Sequence, residues 1–159
     1  MPAFDAASFR TVLGHFCSGI TIVTAVERGE PVGLTCQSFT SVSLDPPLVL
    51  FVPAKAASSW PRIRAAGHFC ANVLAEDQEA LGRRFAIRGA DKYAGVGWRP
   101  GPSGAPVLDG CIAYVDCEIE TVHDAGDHDI VVGHVVDLAV TSEAPPLLFF
   151  RGGYGRFAV

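Results

Sequence analysis

Residues 35–41 place small and polar side chains inside a stretch of the chain that is otherwise apolar. The run reads Thr35-Cys36-Gln37-Ser38-Phe39-Thr40-Ser41. Backbone N–H and C=O groups on a rigid strand are suited to a flat heterocycle that carries both carbonyls and ring nitrogens. An edge strand exposed to solvent has the same composition, so the residues alone leave both interpretations open.

A second polar segment, residues 53–61, marks the end of a strand and the start of a helix. Lys55 precedes Ser58 and Ser59, which are suited to cap a helix that begins near Trp60 and Pro61. Free N–H groups and the positive end of a helix dipole favour a phosphate at such a position. An ordinary helix cap needs the same serines, so a cap alone also accounts for them.

Two late loops form a third candidate region. They are Gly126-Asp127-His128 and Arg151-Gly152-Gly153-Tyr154. A cation and an aromatic ring on a glycine loop can hold a second planar anion. The plainer interpretation is a solvated turn histidine and the end of a strand.

Common catalytic and metal-binding motifs do not occur in the chain. There is no HExxH motif, and Asp127-His128-Asp129 lies within one turn, where the three side chains would not converge on an ion. The glycine runs at 95–101 and 152–155 do not follow a strand and open a helix, as a dinucleotide fingerprint would. Cys36 has no neighbouring base, which favours a buried thiol over a nucleophile. The sequence therefore predicts no metal site and gives a hydrolase little support.

Composition places the chain among compact globular proteins. Its 159 residues are 49% hydrophobic and 18% charged, with a net charge of -5 and a mean hydropathy of +0.30. This length fits one domain, residues 1–159, and the apolar content excludes disorder. The acidic balance argues against a nucleic-acid partner.

The same chain lacks the marks of membrane insertion or export. No run approaches the ~20 apolar residues of a membrane span, and residues 1–10 do not resemble a signal peptide. The five cysteines are an odd number without CxxC spacing, so they are expected to be small buried residues. We expect a cytoplasmic protein without a membrane partner.

Periodicity predicts a mainly β fold, an antiparallel barrel with a few helices. A first helix over 5–17 carries one apolar stripe of Phe9, Val12, Leu13 and Phe16. Further helices are predicted from Ser58 or Ser59 to Gly67 and over 76–86, and a long loop over 88–109. The strands are predicted over residues 20–26, 31–35, 39–44, 48–52, 68–74, 111–122, 130–140 and 147–150.

The strand over 111–122 alternates strictly. Cys111 and Cys117 fall on the face that is predicted to point inward, while Asp116, Glu118 and Glu120 fall on the face predicted to point outward.

Several ordered motifs resemble those of one family. The chain is similar to the short-chain flavin reductases, FMN-binding split-barrel proteins of Greek-key type that supply reduced flavin to two-component monooxygenases. The resemblance covers nearly the whole chain. Within the family, the chain is most similar to reductases that serve aromatic and steroid-ring hydroxylases. Its motifs are Phe9-Arg10-Thr11-Val12-Leu13-Gly14, Gly19-Ile20-Thr21-Ile22-Val23-Thr24, residues 38–48, Ala71-Asn72-Val73-Leu74, Asp91-Lys92-Tyr93-Ala94-Gly95, Gly126-Asp127-His128 and Arg151-Gly152-Gly153-Tyr154.

This resemblance implies FMN or FAD and NADH as cofactors and assigns a position to each site residue. The isoalloxazine and ribityl chain would contact Thr35, Cys36, Gln37, Ser38 and Phe39. The flavin tail and phosphate would be bound by Pro53, Ala54, Lys55, Ser59 and Trp60. The pocket would be closed by Phe85 and Lys92. The NADH would be received by His128, Arg151 and Tyr154.

The implied reaction passes a hydride from the nicotinamide C4 to the flavin N5, so the chemistry belongs to the two cofactors. No catalytic acid or base is expected, and His128 is expected only to assist NADH. The family also implies a homodimer and a flavin-dependent monooxygenase as partner. Two alternatives stay open: a non-catalytic FMN-binding or sensing split barrel, and an enzyme like pyridoxamine-phosphate oxidase, which the shortage of lysines disfavours.

Overall fold

Antiparallel β-sheet dominates the computed structural model, which describes residues 3–158. The domain expected over 1–159 includes Met1, Pro2 and Val159, which lie outside the described residues. Within the described range the elements in chain order are α1 (Ala6–Leu13), β1 (Ser18–Gly19), β2 (Thr21–Glu27), β3 (Glu30–Cys36), β4 (Thr40–Leu44), β5 (Pro47–Phe51), α2 (Trp60–Ala66), β6 (His68–Val73), α3 (Glu79–Phe85), β7 (Trp98–Pro100), β8 (Pro106–Leu108), β9 (Ala113–Ala125), β10 (His128–Val140), β11 (Leu147–Phe150) and β12 (Gly153–Arg156).

Seven strands form one sheet whose two edges are consecutive along the chain. The order is β3-β2-β6-β9-β10-β5-β4, and each neighbouring pair is antiparallel. Although β3 and β4 are opposite edges, only residues 37–39 connect them. A link this short spans at most about 14 Å, so the sheet must curl until its edges approach each other. The predicted antiparallel barrel is confirmed, and it stays split between these edges.

Aromatic rings fill the barrel interior. The ring centroids of Phe51 and Phe69 lie 4.7 Å apart, and the Trp60 ring lies 5.9 Å from that of Phe51. All three side chains are buried with Ile63 of α2. A Cβ atom at Gly133 would lie 2.5 Å from Cζ of Phe69, so a glycine on β10 is what admits this ring.

The predicted loop over 88–109 is wrong in part, because it contains the β7–β8 hairpin. Pro100 and Pro106 face each other at its end, where neither needs to donate an N–H to the ladder. The buried Asn72 side chain stabilises β8, because its amide oxygen accepts a hydrogen bond from the Leu108 N–H at 2.9 Å. Asn72 lies on β6, about 36 residues before Leu108, so the local composition of residues 88–109 did not reveal the hairpin.

One predicted orientation on β9 is also wrong. Cys111 and Cys117 are buried as predicted, but Asp116 is fully buried as well instead of facing solvent with Glu118. Its carboxylate accepts from the Ser103 N–H at 2.8 Å and the Ser103 hydroxyl at 2.6 Å. Two hydrogen bonds from the loop before β8 therefore offset the cost of burying this charge.

The first helix begins as predicted but is shorter and less covered. The Asp5 carboxylate accepts from the Ser8 N–H at 2.8 Å and caps α1, which ends at Leu13. None of its residues is buried, and the apolar stripe stays exposed, with Phe16 at 82%. In the described part of the chain, no helix has the length and apolar character that a membrane span requires.

Candidate functional site

A cavity of about 870 Å³ lies beside the edge strand β3. It lies between the end of β3 and the segment that follows β5, and both α1 and the end of α3 reach its wall. Most of its lining is apolar, with polar groups at a few positions. Ten of the predicted site residues line it: Thr35, Cys36, Gln37, Ser38, Pro53, Ala54, Ser59, Phe85, Lys92 and His128.

The long wall of the cavity is an edge strand. Because β3 pairs with β2 on one side only, its other row of backbone groups is not used by a strand. Its side chains are fixed locally: the Thr35 hydroxyl donates to the Gly82 carbonyl at 2.6 Å, and the Ser38 hydroxyl accepts from the Val52 N–H at 2.9 Å. The Ser38 contact also ties the end of β3 to the opposite wall. The structure thus presents a rigid backbone edge to whatever occupies the cavity.

A lysine and two serines form one end of the cavity. Lys92 donates from Nζ to the Gly33 carbonyl at 2.9 Å and to the Ser59 hydroxyl at 3.2 Å. Partial burial lowers the pKa of Lys92, because a desolvated ammonium is less favourable. Ser58 lies beside Ser59 on the same wall. Together these groups place a cation and hydroxyls where an anion would be stabilised.

Phe85 closes the cavity beneath this end. A Cβ atom at Gly33 would lie 2.9 Å from Cε2 of Phe85, so the glycine allows the ring to lie against β3. The Phe85 ring also packs edge-on against Tyr93, with centroids 5.0 Å apart. Phe85 is fully buried and supports the wall from behind as well as lining it.

The β9–β10 turn brings His128 to the cavity mouth. The Lys55 N–H donates to the Asp127 carbonyl at 2.9 Å, and the Asp129 N–H donates to the Pro53 carbonyl at 3.0 Å. His128 Nδ1 lies 2.7 Å from a carboxylate oxygen of Asp127, and this contact lowers the pKa of Asp127. The turn is therefore held in place by backbone bonds to the segment after β5.

Two predicted residues of this segment do not reach the cavity. Lys55 extends away from it, with Nζ bound to the Asp124 carboxylate and donating to the Gly126 carbonyl at 2.6 Å. Its Asp124 hydrogen bond raises the pKa of Lys55. Trp60 is 2% exposed and donates from its indole N–H to the Asp129 carboxylate at 2.9 Å. Lys55 positions the turn, and Trp60 belongs to the core.

Three further predicted residues also lie outside the cavity lining. Phe39 is half-buried and packs against the barrel core. Tyr154 packs against Phe149 with ring centroids 5.1 Å apart and lies under the Arg83 guanidinium at 4.7 Å. Arg151 has a positive φ of 50° and lies over the Phe150 ring. The β11–β12 hairpin that carries Arg151 and Tyr154 pairs with β1 in a separate sheet. Neither residue lines the cavity.

Sequence reasoning missed several lining residues. Phe9 and Leu13 of α1 reach the cavity, although the sequence predicts only that they share one apolar stripe. Arg88, just after α3, adds a second cation to the wall; its position at the start of a glycine-rich loop was the available signal. The small residues Ala56 and Ala57 also line it, and their lack of side-chain functional groups gave no signal.

The lining fits a flavin nucleotide. An apolar slot beside a free backbone edge suits a flat heterocycle, and the Lys92 end suits a phosphate. The volume falls within the roughly 300–1,000 Å³ of small-molecule sites. Within residues 3–158, no group of three His, Cys, Asp or Glu side chains is arranged to hold a metal ion.

Fold and cavity together define an antiparallel split barrel with a nucleotide-sized site at its open edge. The chain belongs to the family described as flavin reductase like domain, whose model matches residues 13–158. The predicted family resemblance is confirmed.

Characterised relatives and solved structures resemble the chain over most of their length. HsaB, the reductase subunit of a flavin-dependent monooxygenase from Rhodococcus jostii RHA1, is 51% identical over 96% of this chain and 78% of its own. SmoA of Agrobacterium fabrum, an FMN reductase (NADH), is 44% identical over 97% of this chain and 87% of its own. The structure of SgcE6 from Streptomyces globisporus, an NADH:FAD oxidoreductase in complex with NAD and FAD fragments, superposes with a TM-score of 0.91 at 40% identity, covering 97% and 93% of the two chains.

Proposed function

We propose that this chain is an NADH-dependent flavin reductase, which uses FMN or FAD as acceptor and supplies reduced flavin to a partner flavin-dependent monooxygenase. The observation that carries this proposal is the cavity of about 870 Å³ between the end of the edge strand β3 and the segment after β5, in a chain of the flavin reductase family. The name of HsaB describes the reductase subunit of a flavin-dependent monooxygenase, and the name of SmoA describes an FMN reductase that uses NADH.

The chain's own residues bind and orient the two nucleotides. The backbone at the end of β3 and just after it, Thr35–Ser38, would contact the flavin ring, and Phe85 closes the cavity beneath the Lys92 end. Ser58, Ser59 and Lys92 would hold the phosphate, and Arg88 adds a further cation on the same wall. His128, which lines the cavity beside Ala54, would receive NADH. When bound, the flavin accepts a hydride from NADH, so the proposed reaction uses no side chain as acid or base.

Holding both nucleotides in one cavity supplies proximity and orientation. Fixed donors along the strand edge also stabilise the negative charge that builds up on a reduced flavin ring. The half-exposed Phe9 and Leu13 shield this side of the cavity incompletely in a single copy. A second copy of the chain is the proposed cover, so we propose a homodimer of a single-domain chain that acts in the cytoplasm.

The test is reduction of free flavin. Purified protein is mixed with NADH and either FMN or FAD, and NADH oxidation is followed by its absorbance. We expect turnover that depends on added flavin. Tight FMN binding without NADH oxidation would instead identify a non-catalytic flavin-binding protein, and no flavin binding would contradict the proposal altogether. The variant Lys92→Met, which removes the cation proposed to hold the phosphate, should need a higher flavin concentration for the same turnover.

A further inference from the structure

A second cavity, of about 490 Å³, adjoins the first one. The two share the residues Ser58, Ser59 and Lys92, which line both. The hydrogen bond from Lys92 Nζ to the Ser59 hydroxyl therefore lies in their common wall. A ligand whose phosphate reaches this wall from the first cavity can continue into the second without leaving the protein surface.

Charged groups line the second cavity. Arg62 of α2 lies on its wall and is ion-paired with Glu30 at 3.2 Å and with Glu27 at 3.7 Å. Its side chain remains 39% exposed, so the guanidinium is oriented by these carboxylates and still presents N–H groups to the cavity. The carboxylates of Glu30 and Asp91 lie on the same wall and are exposed. A cation for phosphate and acceptors for hydroxyl or amino hydrogens thus occur in one space.

The remaining lining is rigid and in part apolar. The Tyr93 hydroxyl donates to the Val32 carbonyl at 2.8 Å, which fixes its ring against β3. Gly89 and Ala90 leave the opposite side open because they carry little or no side chain. A flat ring fits between such walls.

We infer that the second cavity binds the adenosine monophosphate half of FAD, so that this chain binds FAD in preference to FMN. The inference rests on the proposed function and refines its acceptor. FMN ends at its single phosphate, whereas FAD continues through a second phosphate, a ribose and an adenine. With the first phosphate at Lys92 and Ser59, this extension enters the second cavity. Arg62 then faces the second phosphate, and the two carboxylates face the ribose hydroxyls and the adenine amino group.

A third cavity does not offer the same chemistry. Its volume is about 230 Å³, and it is lined by three carboxylates, those of Glu76, Asp77 and Glu79, together with Tyr154 and Arg156 of β12. It shares no lining residue with the first cavity, so a ligand bound there would be separate from the flavin.

The test compares the dissociation constants of FMN and FAD by flavin fluorescence titration, with no NADH present. Wild-type protein is expected to bind FAD about tenfold more tightly than FMN, the gain of roughly one charge-assisted contact. Ala90→Trp fills the second cavity and should weaken FAD about tenfold while the FMN constant stays within about twofold. Ala94→Trp, an exposed position of the same loop outside both cavities, is the matched control.

Arg62→Gln provides a second variant, should Ala90→Trp lower the melting temperature too far for titration. It removes the cation only and should weaken FAD several-fold without affecting FMN. Equal constants for FMN and FAD in wild-type protein, or equal losses for both flavins in the variants, would overturn the inference. In that case FMN binding and its reduction by NADH persist, so the proposed function survives. Binding of neither flavin would refute both.

Discussion

Lys92 Nζ lies 3.2 Å from the Ser59 hydroxyl and donates to it, which joins the loop after α3 to the start of α2. The same ammonium donates to Gly33 of β3, so one cation connects three elements at the end of the cavity. Among residues 3–158, it forms no ion pair, and its pKa is lowered by burial. A partly desolvated cation with only neutral acceptors attracts an anion strongly.

Replacing this lysine tests the phosphate assignment. Lys92→Met keeps the length and removes the charge, so FMN affinity should fall about 10- to 100-fold, which corresponds to the ~1.5–3 kcal/mol of hydrogen bonds to charged groups. Fluorescence titration measures the constant. Arg28→Met is the matched control, because it removes one positive charge from an exposed turn outside the cavity. Equal affinity losses in both variants would assign the effect to overall charge instead.

Replacing His128 distinguishes the proposed NADH site from the proposed flavin site. His128→Ala should raise the KM for NADH several-fold and change the dissociation constant of the flavin little, because the residue is proposed to receive NADH and makes no hydrogen bond with Lys92 or Ser59. Steady-state kinetics with varied NADH and a flavin titration provide the two numbers. His123→Ala, on the same hairpin and outside the cavity, is the control. An unchanged KM together with weakened flavin binding would refute this assignment.

Because Trp60 lies in the core, replacing it should lower the stability of the fold and leave flavin affinity unchanged. Trp60→Phe keeps an aromatic ring but leaves the buried Asp129 carboxylate without its indole donor, so the free energy of unfolding should fall by about 1–3 kcal/mol. Flavin affinity should be unchanged. Urea denaturation and titration measure the two effects. A loss of flavin affinity with full stability would restore the sequence-based assignment of Trp60 to the flavin tail.

The barrel could be predicted from the sequence because β-branched runs and alternation are local signals. The alternation predicted over 111–122 also placed Cys111, just before β9, and Cys117, within it, on the buried side. It failed at Asp116, since the donors that allow this carboxylate to be buried come from Ser103, outside the strand. Burial of a charge depends on such distant partners, which periodicity does not contain.

The site could be predicted in outline for a similar reason. Strand ends and serine-rich turns mark where a cavity can form, and residues 35–38 and Ser59, singled out from the sequence, do line one. Lys55 was expected at the flavin tail but lies outside the cavity lining, because its direction depends on Asp124 near the end of β9, about seventy residues away. Phe9 and Leu13 were missed as lining because an amphipathic stripe does not reveal what it covers.

The exposed apolar residues of α1, together with Phe16 just after its end, predict the oligomeric state. Val12 and Phe16 are 67% and 82% exposed, an arrangement that is unfavourable in water unless another surface covers it. Phe16→Asp should convert the proposed dimer to a monomer and lower flavin affinity, as measured by light scattering and titration. Ala7→Asp, on the opposite face of the same helix, is the control. A wild-type protein that is monomeric and fully active would contradict the proposed homodimer.

The buried thiols make stability depend on alkaline pH. Burial raises the pKa of Cys111 and Cys117 to about 12 from an ordinary 9.0, and it raises that of Cys70 as well. The unfolded chain loses these protons first, so their stabilising contribution is complete below pH 9 and decreases as pH rises from about 9 towards 12. Each thiol lowers the free energy of unfolding by at most about 1.4 kcal/mol per pH unit in that window.

Urea denaturation at a series of pH values measures this dependence. Cys117→Ala removes one titrating group, so its stability should decline less steeply above pH 9 than that of wild-type protein, whatever its stability at neutral pH. Cys17→Ala is the control, because Cys17 is exposed and its replacement removes no buried thiol. In the native protein Cys17 should also react fastest with a thiol reagent. An identical slope in wild-type protein and Cys117→Ala would show that this thiol titrates alike in the folded and unfolded chain, against the burial found on β9.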